Sequence, residues 1–220
     1  MNKKKCVLLA CFLLSNLFAF SQGATLYNSN NEVLTEKRYN NTQGTPYFYK
    51  DWSKGTLYDI KDQPLAHTHI NFNGESGLLE IKEGEKVIQL NQNLYNRIEI
   101  TTEGQKHVFI NRVTPLDLTY YRAIYQSEVM QFLEKFESEL KEEEVATYGA
   151  SKFRSKFVNR TKSFLFKDGK LNEINRNNKK VVEFLQSPKL NSYLKKNKLN
   201  VKEDADLIKL LAYYESGLKK

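Results

Sequence analysis

Between residues 55 and 111 one pattern recurs: short runs with apolar residues at every second position, each followed by a turn signal. The runs are GTLYDI (55–60), LAHTHINF (65–72), GLLEIK (77–82), VIQL (87–90), NRIEIT (96–101) and KHVFIN (106–111). Alternation with period 2 sends successive side chains to opposite faces of an extended strand, which no helix reproduces. The runs are rich in Val, Ile, Thr, Tyr and Phe. They are separated by KDQP (61–64), NGES (73–76), EGEK (83–86) and TEGQ, where Gly104 suits a left-handed turn position. Strands at such short, regular spacing predict an antiparallel sandwich or an incomplete barrel.

The pattern continues less cleanly. YYRAIYQS (120–127) reads as a further strand, and KFVNRTKSFLFK (156–167) with KLNEI (170–174) as a last hairpin around Asp168-Gly169. VMQFLEKFESEL (129–140) fits either a strand or a helix face, and KEEEVATYGASK (141–152) reads as a polar loop. After residue 174 the period becomes helical. Val181, Val182 and Leu185 share one face and the segment stops at Pro188. Leu190, Tyr193 and Leu194 form a second face, and Leu207, Leu210, Leu211 and Tyr214 a third, with acids in its first turn and Gly217 at its end. The expected fold is therefore α+β but mainly β: a β-rich body over 46–174 and a three-helix tail over 175–220 packed on it.

The start of the chain has a different character. MNKKK is a positive n-region, an apolar run from Cys6 to Phe20 follows, and AFSQG offers small residues before a cut at Ser21-Gln22. This is the pattern of a secretory signal peptide over 1–21, and the run is shorter than a membrane span requires. LLAC (8–11) resembles a lipoprotein box with Cys11 as the lipidated residue, but the apolar run continues past Cys11 through Leu17. Cleavage would leave 220 − 21 = 199 residues. It would also remove both cysteines and three lysines, so the formal charge falls from +8 to about +5. Such a chain has no disulfide framework, and its mild, interleaved positive charge does not call for a nucleic-acid partner. Residues 22–45, rich in Asn, Thr, Ser and Gln, read as a flexible arm with one short strand near Glu32–Leu34.

Several of these fragments together (AFSQG, PYFYKDWSKGTLYD, FKDGKLNEI and LKKNKLNVKEDADLIKLLAYYESGL) resemble a group of small exported proteins of Bacteroidota-type bacteria with a β-rich body and a short helical tail. The resemblance implies compartment and architecture, not a mechanism. It also implies a strand over 129–140.

Chemistry is sparse. His67 and His69 share one strand face, about 7 Å apart, so both can reach one metal ion, but zinc sites take three or four protein ligands. His107 is the only other histidine. With Val108 and Ile110 taken as core residues, it points outward and joins the pair only if the two strands are near neighbours. Solvated histidines are the commoner outcome of such a pattern. Tyr47, Tyr49 and Trp52 in PYFYKDW offer rings for a glycan, although large aromatics more often plug the end of a β-body. No nucleophile elbow or phosphate-cradling glycine loop occurs, and the paired acids lie in a polar run and a helix first turn. No catalytic residue and no cofactor follow from these patterns. The reading is an exported, non-catalytic binding or interaction protein of the periplasm or cell envelope, with an envelope protein or polysaccharide as partner. Its alternative is a metal-binding protein or metal-dependent enzyme built on His67 and His69.

Overall fold

A computed structural model describes residues 32–147 and 150–218. The signal segment expected over 1–21, with Cys6 and Cys11, and arm residues 22–31 lie outside the described residues. The alternating runs form one open antiparallel sheet of eleven strands, followed by three helices. The strands are β1 (Glu32–Thr35), β2 (Ser53–Asp59), β3 (Pro64–Asn73), β4 (Leu78–Glu83), β5 (Lys86–Gln89), β6 (Tyr95–Thr102), β7 (Gln105–Ile110), β8 (Tyr121–Gln126), β9 (Met130–Thr147), β10 (Ala150–Lys167) and β11 (Lys170–Ile174). Their order is β1-β5-β4-β3-β2-β6-β7-β8-β9-β10-β11. Tight turns make most of these neighbours. Glu103-Gly104 and Asp168-Gly169 both take positive φ at the two central positions (49° and 77°, 52° and 73°), the two-residue geometry that matches strand twist.

The sheet is strongly curled. Phe72 on β3 and Phe109 on β7 stack with ring centroids 5.5 Å apart, although three strand spacings, about 14 Å, separate these strands in a flat sheet. Phe136 on β9 lies 6.3 Å from Phe72, and the Ser138 N–H donates to the Gly74 carbonyl at 2.9 Å. The six strands from β3 round to β9 thus bend into an incomplete barrel whose gap narrows to one backbone hydrogen bond. Close approach explains Gly74: a Cβ there would sit 2.6 Å from the Phe136 ring and 2.9 Å from the Ser138 nitrogen. The segment 36–48 fills the rest of the seam. Gln43 exchanges backbone bonds with Ser155 and Phe157 of β10, while Pro46 and Phe48 bond Gly74 and Phe72 at the end of β3. From Glu32 onward the arm is thus anchored, and its single strand is β1, paired to β5.

Cross-strand registers sort side chains into two faces. Leu57, Ile70, Phe72, Leu79, Ile81, Ile98, Ile100 and Phe109 line the concave face and are essentially fully buried. The helices α1 (Asn178–Leu185), α2 (Lys189–Asn197) and α3 (Asp204–Leu218) cover the other end of this face. Val181, Leu190, Leu207, Leu210 and Leu211 bury there against Ile124, Met130, Phe132 and Leu165. The helices end as their sequences allow. Asn177 caps α1 by accepting from the Lys180 N–H at 2.9 Å, and Gln186 and Lys198 adopt left-handed conformations after α1 and α2. Gly217 falls inside the last turn of α3 and does not end it.

Residues 130–140 are strand, paired residue for residue with β10. The expected polar loop over 141–152 is overturned: β9 runs through the acidic stretch to Thr147 and β10 starts at Ala150. The charges are tolerated because carboxylates of β9 bond lysines along the strand and diagonally across the ribbon, although Lys135 and Lys141 stand directly opposite Lys162 and Lys156. Glu143 pairs with Lys156, and Glu137 with Lys135 and Lys162 at 2.9 Å each.

Candidate functional site

The structure separates His107 from the strand that carries His67 and His69. His69 is exposed on the outer face of β3, opposite Lys54 of β2 and Lys82 of β4. Position 67, on the same strand as His69, pairs with Thr56 of β2, and the side chain of His67 lies outside the described residues. His107 was expected to point outward and does not. It pairs with Ile100, which is buried on the concave face, while Val108 and Ile110 take the outer face. Phe109 and the aromatic segment 47–49 make that side of β7 the core side, which outweighs the β-branched residues beside it. Strands β2 and β6 lie between His69 and His107, and the two side chains leave opposite faces, so His107 is not brought to the pair. Among the described residues no three His, Cys, Asp or Glu side chains gather where they could hold a metal ion.

On the concave face His107 belongs to a polar chain between the aromatic and helical halves of the core. Its Nδ1 lies 2.7 Å from the Tyr49 hydroxyl, and the two rings stack at 5.6 Å. Burial lowers the His107 pKa, and the nearby Arg122 charge lowers it further, against a smaller opposing effect of Asp204. Burial likewise pushes the Tyr49 phenol up, so both partners are held neutral. Beside them Arg122 and Arg176 alternate with Glu134 and Asp204 in a closed ring. Arg122 bonds Glu134 at 2.5 Å and Asp204 at 2.8 Å; Arg176 bonds Asp204 at 2.5 Å and also pairs with Glu134. Arg176 Nε adds a 2.6 Å bond to the Val201 carbonyl. Burial alone would raise the Asp204 pKa, but the two arginines outweigh it and hold the carboxyl below its usual range. Every oxygen of both carboxylates faces an arginine. The ring ties β8 and β9 to the helical tail.

The aromatic candidates are also committed to packing. Tyr49 is buried, and Asn71 holds its backbone from both sides, accepting from the Tyr49 N–H at 3.1 Å and donating to its carbonyl at 2.9 Å. Tyr47 donates to the fully buried Glu80 at 2.8 Å, beside Arg38 at 2.5 Å and Asn73 at 2.9 Å. Trp52 is half-buried, its ring 5.4 Å from that of Tyr47.

The outer face carries a different feature. A groove of about 710 Å³ lies over β3, β2, β6 and β7, lined by Lys54, Gly55, Thr56, His69, Glu99, Thr101 and Lys106. One side is electrostatically complete. Glu99 takes Lys106 at 2.8 Å, Tyr58 at 3.0 Å and Arg97, whose guanidinium stacks 3.5 Å over the Tyr58 ring. Partial burial would raise the Glu99 pKa, but Lys106, Tyr58 and Arg97 together bring it below the ordinary value. The other side is open: among the described residues, the side chains of Lys54, His69 and Thr101 have no hydrogen-bond or ion-pair partner. Of these only His69 stands out in the sequence. The alternation in SKGTLY places Lys54 outward, but its alignment with His69, Thr101 and Lys106 requires the registers of three strand pairs.

Fold and site together define a mainly β protein with one curled antiparallel sheet, a helical tail on its concave face and a polar groove on its outer face. No protein family, no curated protein and no solved structure matches the chain.

Proposed function

We propose that this chain is an exported, non-catalytic binding protein of the periplasm or cell envelope, and that it holds its partner at the outer groove of β3, β2, β6 and β7. The observation that carries this reading is the open side of the groove. The side chains of Lys54, His69 and Thr101 stand in a concavity large enough for a ligand, without hydrogen-bond or ion-pair partners among the described residues. The titratable groups of the concave face, by contrast, are spent on one another. Compartment rests on the leader pattern and on the resemblance in the fragments quoted above.

A photo-crosslinking residue placed at Thr101 in the native cell tests the reading, with the same residue at Leu116, which is 95% exposed away from the groove, as control. A specific adduct at position 101 alone is expected. Equal labelling at both positions, or none at 101, would remove the groove as a binding face.

A further inference from the structure

Opposed side chains across the outer face form a ladder. Lys82 on β4 faces His69 on β3, His69 faces Lys54 on β2, Lys54 faces Thr101 on β6, and Thr101 faces Lys106 on β7. Four of the five rungs carry amines or imidazole. Three of the rungs are lysines, set apart from one another by His69 or Thr101, and no carboxylate stands as a rung among them. The ribbon of β9 and β10 in this same chain instead sets carboxylates within bonding reach of its lysines. Glu99, the carboxylate that bonds Lys106, is shared with Arg97, which leaves Lys54 without a counter-charge among the described residues. Lys82 has an interaction of its own; the side chains of Lys54 and His69 have none among the described residues.

We infer that the ladder is a track for a linear polyanion of the polysaccharide class, bearing carboxylate or sulfate groups, laid across the strands. This deepens the proposed function and rests on it. Four strand spacings make the track about 19 Å long, more than one small anion can bridge, so a repeating charge along a polymer fits it. The hydroxyl of Thr101 sits among the amines and can bond a sugar hydroxyl. No aromatic side chain is among the described groove-lining residues, unlike the stacking platforms on which single-stranded nucleic acids lie.

Titration calorimetry of the purified full chain with dextran sulfate, uncharged dextran and an oligothymidylate of matched charge tests the assignment. Dextran sulfate should bind, and weaken about tenfold or more between roughly 50 and 300 mM salt, as screening of exposed charges requires. Uncharged dextran should not bind, and the oligothymidylate should bind far more weakly. K54Q/K106Q should weaken dextran sulfate about tenfold, and T101E, a single change at an exposed position, should do the same without removing a lysine. K195Q/K196Q at the end of α2 removes the same charge elsewhere and should leave affinity within about twofold. Circular dichroism checks that each variant folds. If K195Q/K196Q weakens binding as much as the ladder variants, if the oligothymidylate binds equally, or if dextran sulfate does not bind, the inference is overturned. Failure here with the Thr101 adduct intact removes this ligand and leaves the binding face; loss of both removes the face itself.

Discussion

His107 shows how one residue's chemistry is decided by which way its strand faces. Read along KHVFIN, the β-branched Val108 and Ile110 look like the core side, and the histidine looks solvated. In the structure Phe109 is the buried residue, and His107 enters the concave face beside Tyr49 and Arg122. The consequence is a pH dependence. The folded-state pKa of His107 lies below its unfolded value near 6.5, so as pH falls the unfolded chain takes up this proton first. The neutral ring's contribution is complete above the unfolded pKa and is lost as pH falls toward the folded one. Urea midpoints measured at pH 7.5 and 5.5 should therefore fall, and His107→Asn, which keeps a polar atom near Nδ1, should reduce that fall. An unchanged difference between the two pH values in the variant would show that His107 does not set it.

At the level of elements, strand existence follows from alternation, and the mistaken segment is instructive. KEEEVA has neither the apolar alternation nor the β-branched content of a strand, yet it extends β9 because β10 places Arg154 directly across from Glu143 and Lys156 within diagonal reach of it. Partners 11 and 13 residues downstream of Glu143 supply what local propensity does not. The turn between β3 and β4 makes a second case. NGES is legible as a turn, but nothing local says that Gly74 meets Phe136 and Ser138 on β9, five strands away in the sheet order. Gly74→Ala should cost about 2 kcal/mol, because the added methyl overpacks a ring and a backbone nitrogen that close the barrel. Chemical denaturation measures it directly, and a loss below about 0.5 kcal/mol would mean that the seam yields freely. The groove belongs to this scale as well: its rungs come from strands whose adjacency the sequence does not state.

For the molecule as a whole, the helical tail and the curled sheet are joined by an apolar cluster and by the ring of Arg122, Glu134, Arg176 and Asp204. Arg176 stands between β11 and α1, and its guanidinium reaches Glu134 in the sheet and Asp204 at the start of α3. Arg176→Met removes one member and leaves the largely buried Glu134 with a single cation, at an expected cost of about 3 kcal/mol. If the ring couples the two parts, hydrogen exchange in α3 and β8 should quicken together; exchange confined to α3 would show that the tail opens alone. Local pattern by itself determined the mainly β character, the hairpin turns, the three helices and their buried stripes, because alternation, turn chemistry and helical period act over a few residues. Tertiary structure alone decided the curl, the seam sealed by residues 36–48, the inward turn of His107 and the row from Lys82 to Lys106. Those depend on register between segments far apart in the chain, and a shift of one residue in register would send every side chain to the other face.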